Sequence, residues 1–402
     1  MFLGIVARFL FASTFFKFSQ IPPLMTRLYE DIAIAQSLVS GHGYSSPFFT
    51  ESGPTAFIAP GYPLFLALII KIFGTGSASA AVMILCQEIF SLFTLMLVMY
   101  VAQRQFGQET ANLAGLICAV APPMLAPPLL IWDTAFSALA VTGFFVSATG
   151  LSLARHRFIP AGAACALVGL TNPSLLPSLF ALCGWVAWKT KILPWAGILT
   201  FCLLFSPWFI RNAVVMHSFI PFRSNFGFEL WLGNHPGGDG GTDPSLSPWT
   251  NPTELRAFIA KGELGYIAER GRMARRYIAD HPARYMTLTL SRVSKYWALA
   301  GDGFITAVDP IFALAIPGLV LLAKRRSEYL MVYVLPLLLF PLPYYFTHTD
   351  TRFRSAIDPL LTILAAYAIG TFLSWVHPRS RSADERVSGA EISLTSRPDH
   401  TR

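Results

Sequence analysis

Apolar runs long enough to cross a lipid bilayer recur from one end of the chain to the other, and short basic clusters separate them. A spanning helix needs about 20 mostly apolar residues, and shorter ones occur where neighbours cover them. Spans are expected near residues 2–18, 78–102, 110–128, 129–153, 158–172, 174–188, 192–209, 304–323, 329–345 and 354–376. The pair 158–172 and 174–188 is short and broken by Asn172-Pro173, so it reads equally as a re-entrant hairpin. Composition agrees: only 13% of the 402 residues are charged and the mean hydropathy is +0.52. Ordinary soluble domains carry about 25% charged residues. The expected class is an all-α polytopic membrane protein of about ten transmembrane helices, with surface helices and a mainly helical loop region on its outer side. Residues 1–18 are apolar but lack a small-residue cleavage site, so they are read as a retained first span.

The basic clusters orient this plan. Arg104, Arg155-His156-Arg157, Lys189 and Lys191, Lys324-Arg325-Arg326, and Arg379 and Arg381 fall between apolar runs. Lys and Arg favour cytoplasmic loops. With ten spans and the N-terminus inside, every one of these clusters lands inside. That parity requires the apolar run 63–73, which carries Lys71, to be an outer surface helix and not a span. The net charge of +8 is therefore an orientation signal, and no nucleic-acid partner is expected. The cysteines Cys86, Cys118, Cys165, Cys183 and Cys202 all lie in apolar runs and read as small hydrophobes. No internal repeat is visible.

The topology divides the chain into a membrane core, residues 1–376, and a polar cytoplasmic tail, residues 377–402, expected to be disordered. Within the core, residues 19–77 and 212–303 form large extracytoplasmic segments, and 346–353 a short one. In the first, Leu28, Ile32, Ala35 and Leu38 or Val39 share a helical face, and Gly41 and Gly43 stop the helix. Glu30 and Asp31 open that helix, which is expected to lie flat on the membrane with its acids facing water. In the second, 235–242 is a glycine-rich turn with no G-K-[ST] to make it a phosphate loop. Residues 253–280 form a soluble helix with Asn251 or Thr253 as cap. Residues 285–299, with Arg292 and Lys295, form a basic amphipathic stretch expected in the membrane interface.

Arg211, Arg223, Arg352 and Arg354 come from span ends or loops on the outer side, against the orientation tendency. Converging arginines suit a phosphate, which they bind through charge-assisted, often bidentate hydrogen bonds; each alone could equally anchor a lipid headgroup. Lys71 could meet phosphate or snorkel. Tyr62, Tyr344 and Tyr345 could line a lipid groove or form an aromatic belt. His348 and Asp350 flank Arg352. Glu88 and Asp133 lie in or near spans, where acids are functional suspects, although Asp133 could simply cap. The acid pair has its own bland reading, complementing a helix dipole. No set of acids points to a metal, and no obligatory metal or cofactor is expected.

The order of motifs adds to this reading. An acid pair is followed by G-H-G-Y-S-S-P and G-P-T-A-F-I-A-P-G-Y-P, then by L-T-N-P-S-L-L and S-P-W-F-I-R-N. F-R-S-N-F-G-F-E-L-W-L-G-N-H-P and P-L-P-Y-Y-F-T-H-T-D-T-R-F-R-S-A-I-D-P-L-L complete it. From Tyr29 to Ala368 the chain resembles the integral-membrane glycosyltransferases of the C-type superfamily (GT-C). Within them it resembles the bacterial branch akin to protein mannosyltransferases and aminoarabinose transferases. The resemblance implies a sugar donor linked to polyprenyl phosphate and an acceptor hydroxyl or amine on a glycan, lipid or protein. It implies an active site on the extracytoplasmic side of the plasma membrane and, usually, inversion at the sugar carbon. It also implies an acid in the first outer loop as general base, while arginines stabilise the departing carrier phosphate. Glu30 or Asp31 matches that acid; Glu30 follows Tyr29 as in a common Y-E pair, and Asp31 is the close second. Helix neighbours point about 100° apart, so the two are not expected to face one substrate.

Two other classes compete. A lipid-linked glycan ligase or polymerase would use arginines for a diphosphate carrier and need no carboxylate base. A transporter would show inverted halves and a midplane site, whereas no symmetric halves are seen and the polar candidates lie at one surface. The residues leave the sugar, the acceptor and the oligomeric state open.

Overall fold

The computed structural model describes residues 2–18, 30–149, 158–298 and 309–376. Tyr29, the Arg155-His156-Arg157 cluster, the end of the second outer segment (299–303) and the tail 377–402 lie outside these residues. Among the described residues the chain is helical, with one isolated bridge between Ser45 and Pro54.

The first part of the chain holds α1 (Phe2–Phe18), α2 (Glu30–Val39), α3 (Gly61–Phe73), α4 (Ser77–Phe106), α5 (Gln108–Val120) and α6 (Pro122–Leu125). It continues with α7 (Thr134–Thr149), α8 (Phe158–Gly169), α9 (Leu176–Thr190) and α10 (Trp195–Val215). The segment between bundle helices contains α11 (Phe226–Gly233), α12 (Pro252–Asp280) and α13 (Pro282–Trp297). The chain closes with α14 (Pro310–Lys324), α15 (Leu330–Leu339), α16 (Leu342–Phe346) and α17 (Asp358–Val376).

Among the described residues three helices, α4, α10 and α17, are long and apolar enough to cross a membrane. The pair formed by α5 and residues 122–129 passes the same test together, bent by 71° where Pro122 and Pro123 interrupt it. Several other apolar helices run 10–17 residues. Large apolar side chains stand exposed along these helices, among them Leu199 and Leu203 of α10. So much uncovered apolar surface is tolerated in lipid and not in water. The protein is integral to a membrane. Its core gathers around α17, whose residues Asp358 to Ala368 are all buried, against α4, α5, α7 and α14.

The two ends of this bundle differ. At one end Arg325 Nη1 donates to the Tyr367 hydroxyl (2.9 Å), Phe106 stacks on Tyr367 and Lys189 pairs with Glu328. This is the basic end. At the other end α2, α11, α12 and α13 cover the helix termini. There Phe48 and Phe57 of the first loop pack edge-on against Phe258 and against each other, and Phe228, Leu232 and Tyr266 join them. Asn251 caps α12 as expected, accepting from the Thr253 amide. Gly262 kinks α12 with a backbone (φ +66°) that side-chain-bearing residues avoid.

The expectation of a surface-lying α2 is overturned. Ile32, Ala33, Ile34 and Ala35 are all buried, and α2 packs against Tyr62, Leu66 and Ile69 of α3. Its acids face a cavity instead of bulk water. The stop at Gly41 and Gly43 (φ +84° and +74°) is where the glycines required it.

Candidate active site

A cavity of about 330 Å³ lies at the loop end of the bundle. Its titratable lining is Glu30 and Asp31 of α2, Asp133 before α7, Arg223 after α10, Glu229 of α11, and His348 and Arg352 before α17. Trp132, Trp249 and Phe353 add aromatic walls, and Thr242, Pro244, Ser247 and Thr250 line it from the loop between α11 and α12.

Each charged group is held by local structure. Asp133 accepts from Ser137 Oγ (3.3 Å) in the first turn of α7. Glu229 accepts from Asn225 Nδ2 (2.6 Å), and its other oxygen stands 3.3 Å from His348 Nδ1. The last residue of α11, Gly233, has to be glycine, since a Cβ there would stand 1.9 Å from the Thr347 carbonyl oxygen. That contact brings α11 against the segment bearing His348. Arg223 donates to the Thr171 carbonyl (2.6 Å) in the turn after α8. Its Nε is buried with no protein partner. The Arg352 guanidinium lies 4.1 Å over the Trp132 ring and 3.7 Å from Asp350, which keeps it extended along the wall.

Burial dominates the electrostatics. It pushes the Asp31 carboxyl up to about 8, reinforced by Asp133 and Glu30 and opposed by Arg223 and Arg352. Burial also raises Glu30, with the Trp249 indole opposing and Glu229 reinforcing the rise. Glu229 is pushed up to about 7 by burial, against both arginines. Burial, then Arg352, pushes His348 down to about 4, so its imidazole is neutral across the physiological range. Four carboxyl groups face two guanidiniums, and burial raises the proton affinity of every one of the four. A carboxyl whose affinity for a proton is raised toward neutral is matched to accepting one from a weakly acidic group.

Glu30, Asp31, Arg223, Arg352 and His348 are thus brought together. Both acids of α2 line the one cavity, against the expectation that only one would face it. Asp133 lines it too, and the other residues singled out from the sequence do not. Arg211 donates to the carbonyls of Thr55 and Tyr44 (both 2.6 Å) and lies against the Tyr44 and Trp208 rings. It braces the first loop. Arg354 is buried between Asp309 and Asp358, which take up its charge. Lys71 is exposed at the end of α3. The Tyr62 hydroxyl donates to Gln87, Tyr344 stacks on Phe353, and the Tyr345 hydroxyl accepts from the Trp297 indole. Glu88 pairs with Arg8 at 3.5 Å. Arg292, expected at the membrane surface, is wholly buried.

Sequence reading passed over Glu229 and weighed Asp133 mainly as a cap. The signal for Glu229 was available: a single acid inside the apolar helix F-G-F-E-L-W-L-G. Among the described residues no group of three or more His, Cys, Asp or Glu could hold a metal ion.

No family model and no curated protein matches the chain. Among solved structures it is similar to the oligosaccharyltransferase AglB from Archaeoglobus fulgidus in complex with an inhibitory peptide and a dolichol-phosphate. That likeness has 14% identity and a TM-score of 0.48 over 99% of this chain and 52% of that one. It is also similar to ArnT from Cupriavidus metallidurans bound to undecaprenyl phosphate. There the identity is 14% and the TM-score 0.45, over 93% of this chain and 78% of that one. The chain spans about half the length of AglB.

Proposed function

We propose that the protein is a membrane glycosyltransferase that moves a sugar from a polyprenyl-phosphate carrier to an acceptor on the extracytoplasmic side of the membrane. The observation that carries this reading is the meeting of two carboxyl groups of α2 with Arg223 and Arg352 in one cavity. Arg223 and Arg352 bind the carrier phosphate. Asp31 or Glu30 takes the proton of the acceptor hydroxyl or amine as that atom bonds to the sugar's anomeric carbon. The bond from that carbon to the phosphate oxygen breaks, and the electron pair leaves on the polyprenyl phosphate between the two guanidiniums. One sugar is transferred, one carrier phosphate is released and one proton is left on the carboxylate.

The basic clusters support this choice of side. Arg104, Lys189 and Arg325 belong to the bundle end opposite the cavity, and basic loops favour the cytoplasm. Mass spectrometry of glycolipids and glycoproteins from cells with and without the protein tests the reading. A species heavier by one sugar should vanish when the protein is absent, along with any growth of the free carrier pool. An unchanged set of glycans would reject it. Loss of a whole glycan chain, and not of one sugar, would favour the ligase or polymerase alternative.

A further inference from the structure

Several cavity walls are tied to one side chain that lies outside the cavity. Arg292 of α13 is among the largest fully buried side chains described. Its Nε donates to the Gly240 carbonyl (3.1 Å) and its Nη1 to the Tyr345 carbonyl (3.2 Å). Its Nη2 donates to the Gly233 carbonyl and to Asn234 Oδ1, the latter at 2.9 Å. Among the described residues no carboxylate forms an ion pair with it. A buried charge is costly unless hydrogen-bonded, and the planar fork of a guanidinium fixes the directions from which its acceptors approach.

Each acceptor leads directly to the cavity. Gly233 and Asn234 end α11, which carries Glu229. Tyr345 lies three residues before His348. Gly240 begins the stretch whose Thr242, Pro244, Ser247 and Trp249 form one side of the cavity. The same helix grips that stretch twice more: Arg284 Nη2 donates to the Gly238 carbonyl (2.9 Å), and Lys295 Nζ lies 3.3 Å from Asp239.

We propose that Arg292 is a positioning residue, and that α13 uses it to hold the 238–250 wall in register with Glu229 and His348. Its effect on sugar transfer rests on the function proposed above, whereas its hold on the wall does not. A lysine ammonium gathers its three N–H donors on one atom and cannot reproduce the spread of a guanidinium that meets these acceptors from Nε, Nη1 and Nη2.

Hydrogen exchange of the full-length protein in detergent, read alongside transfer kinetics with a polyprenyl-phosphate sugar, tests this. In Arg292→Lys the peptides covering 236–250 should exchange about tenfold faster while α4 and α17 keep wild-type protection. Transfer should slow by about tenfold or more, in kcat more than in the KM for donor, as misplacing a site's wall by about 1 Å does. The exposed double variant Arg284→Ala/Lys295→Ala loosens the same peptides less, and it serves if Arg292→Lys does not fold. Wild-type exchange over 236–250 in the variants overturns the proposal. So does faster exchange spread evenly over every helix, which marks Arg292 as a general stability residue. Faster exchange confined to 236–250 in a protein whose wild type transfers no sugar upholds the positioning role and rejects the transferase reading instead.

Discussion

Whether an acid in this cavity can accept a proton depends on its neighbours. Asp31 is pushed up to about 8 by burial, then by Asp133, so its base form appears only as pH rises through that value. Transfer should therefore rise with pH to a plateau, its midpoint belonging to the coupled acids and not to one residue. Asp133→Asn removes a group that raises Asp31 and should move the midpoint to lower pH. Arg223→Ala removes one that lowers it and should move the midpoint up, besides weakening donor binding. A pH–rate profile of the three proteins checks both shifts. The same group sets a stability trend. Its folded-state value lies above the ordinary 3.8, so the stability it confers is full below about 4 and is lost as pH rises through about 8. Asp31→Asn should raise the melting temperature more at pH 9 than at pH 6, and thermal scans at the two values test the sign.

At the scale of elements, two buried charge clusters fix how loops meet the bundle. Glu263, just after the Gly262 kink of α12, accepts from Thr55 Oγ1, from the Ala56 amide (2.9 Å) and from Ser224 Oγ (2.6 Å). It thereby joins the first loop, which brings Phe57 to the cavity, to the segment bearing Arg223. Glu263→Ala leaves several buried donors without an acceptor and should cost about 1–3 kcal/mol for each one left unsatisfied; Glu263→Gln, which keeps an acceptor oxygen, should cost less. Arg354 holds the first residues of α14 and α17 together through Asp309 and Asp358. Arg354→Met strands two buried carboxylates and should cost about 3–5 kcal/mol. Denaturant unfolding measures these losses, and the folded fraction of Arg354→Met should keep a wild-type KM for donor. The apolar runs, the cap at Asn251 and the stops at Gly41 and Gly43 were legible because they depend on local sequence. Which arginine meets substrate was not, because Arg211 and Arg292 find carbonyl partners more than 50 residues away and one of Arg354's two carboxylates, Asp309, lies 45 residues back, beyond any local pattern.

Taken whole, the molecule is a helical membrane bundle with a basic end and an opposite end that encloses a charged cavity. The order of the motifs along the chain marked the residues that line it better than any single residue did. Glu30, Asp31, Arg223, Arg352 and His348 come from stretches spread over most of the sequence, yet they close on one space. Composition alone could not foretell that both acids of α2 turn inward, since that follows from α3 covering their helix. The central claim is that these acids activate the acceptor while the arginines hold the carrier phosphate. Its most direct test is transfer of a labelled sugar from polyprenyl phosphate by the purified protein in liposomes, for wild type, Glu30→Gln, Asp31→Asn and the double variant. The wild type should release one carrier phosphate per sugar transferred. The account predicts a loss of about 10²–10⁴-fold in at least one single variant and in the double variant, with folding intact. Wild-type transfer rates in both single variants and in the double variant would contradict it.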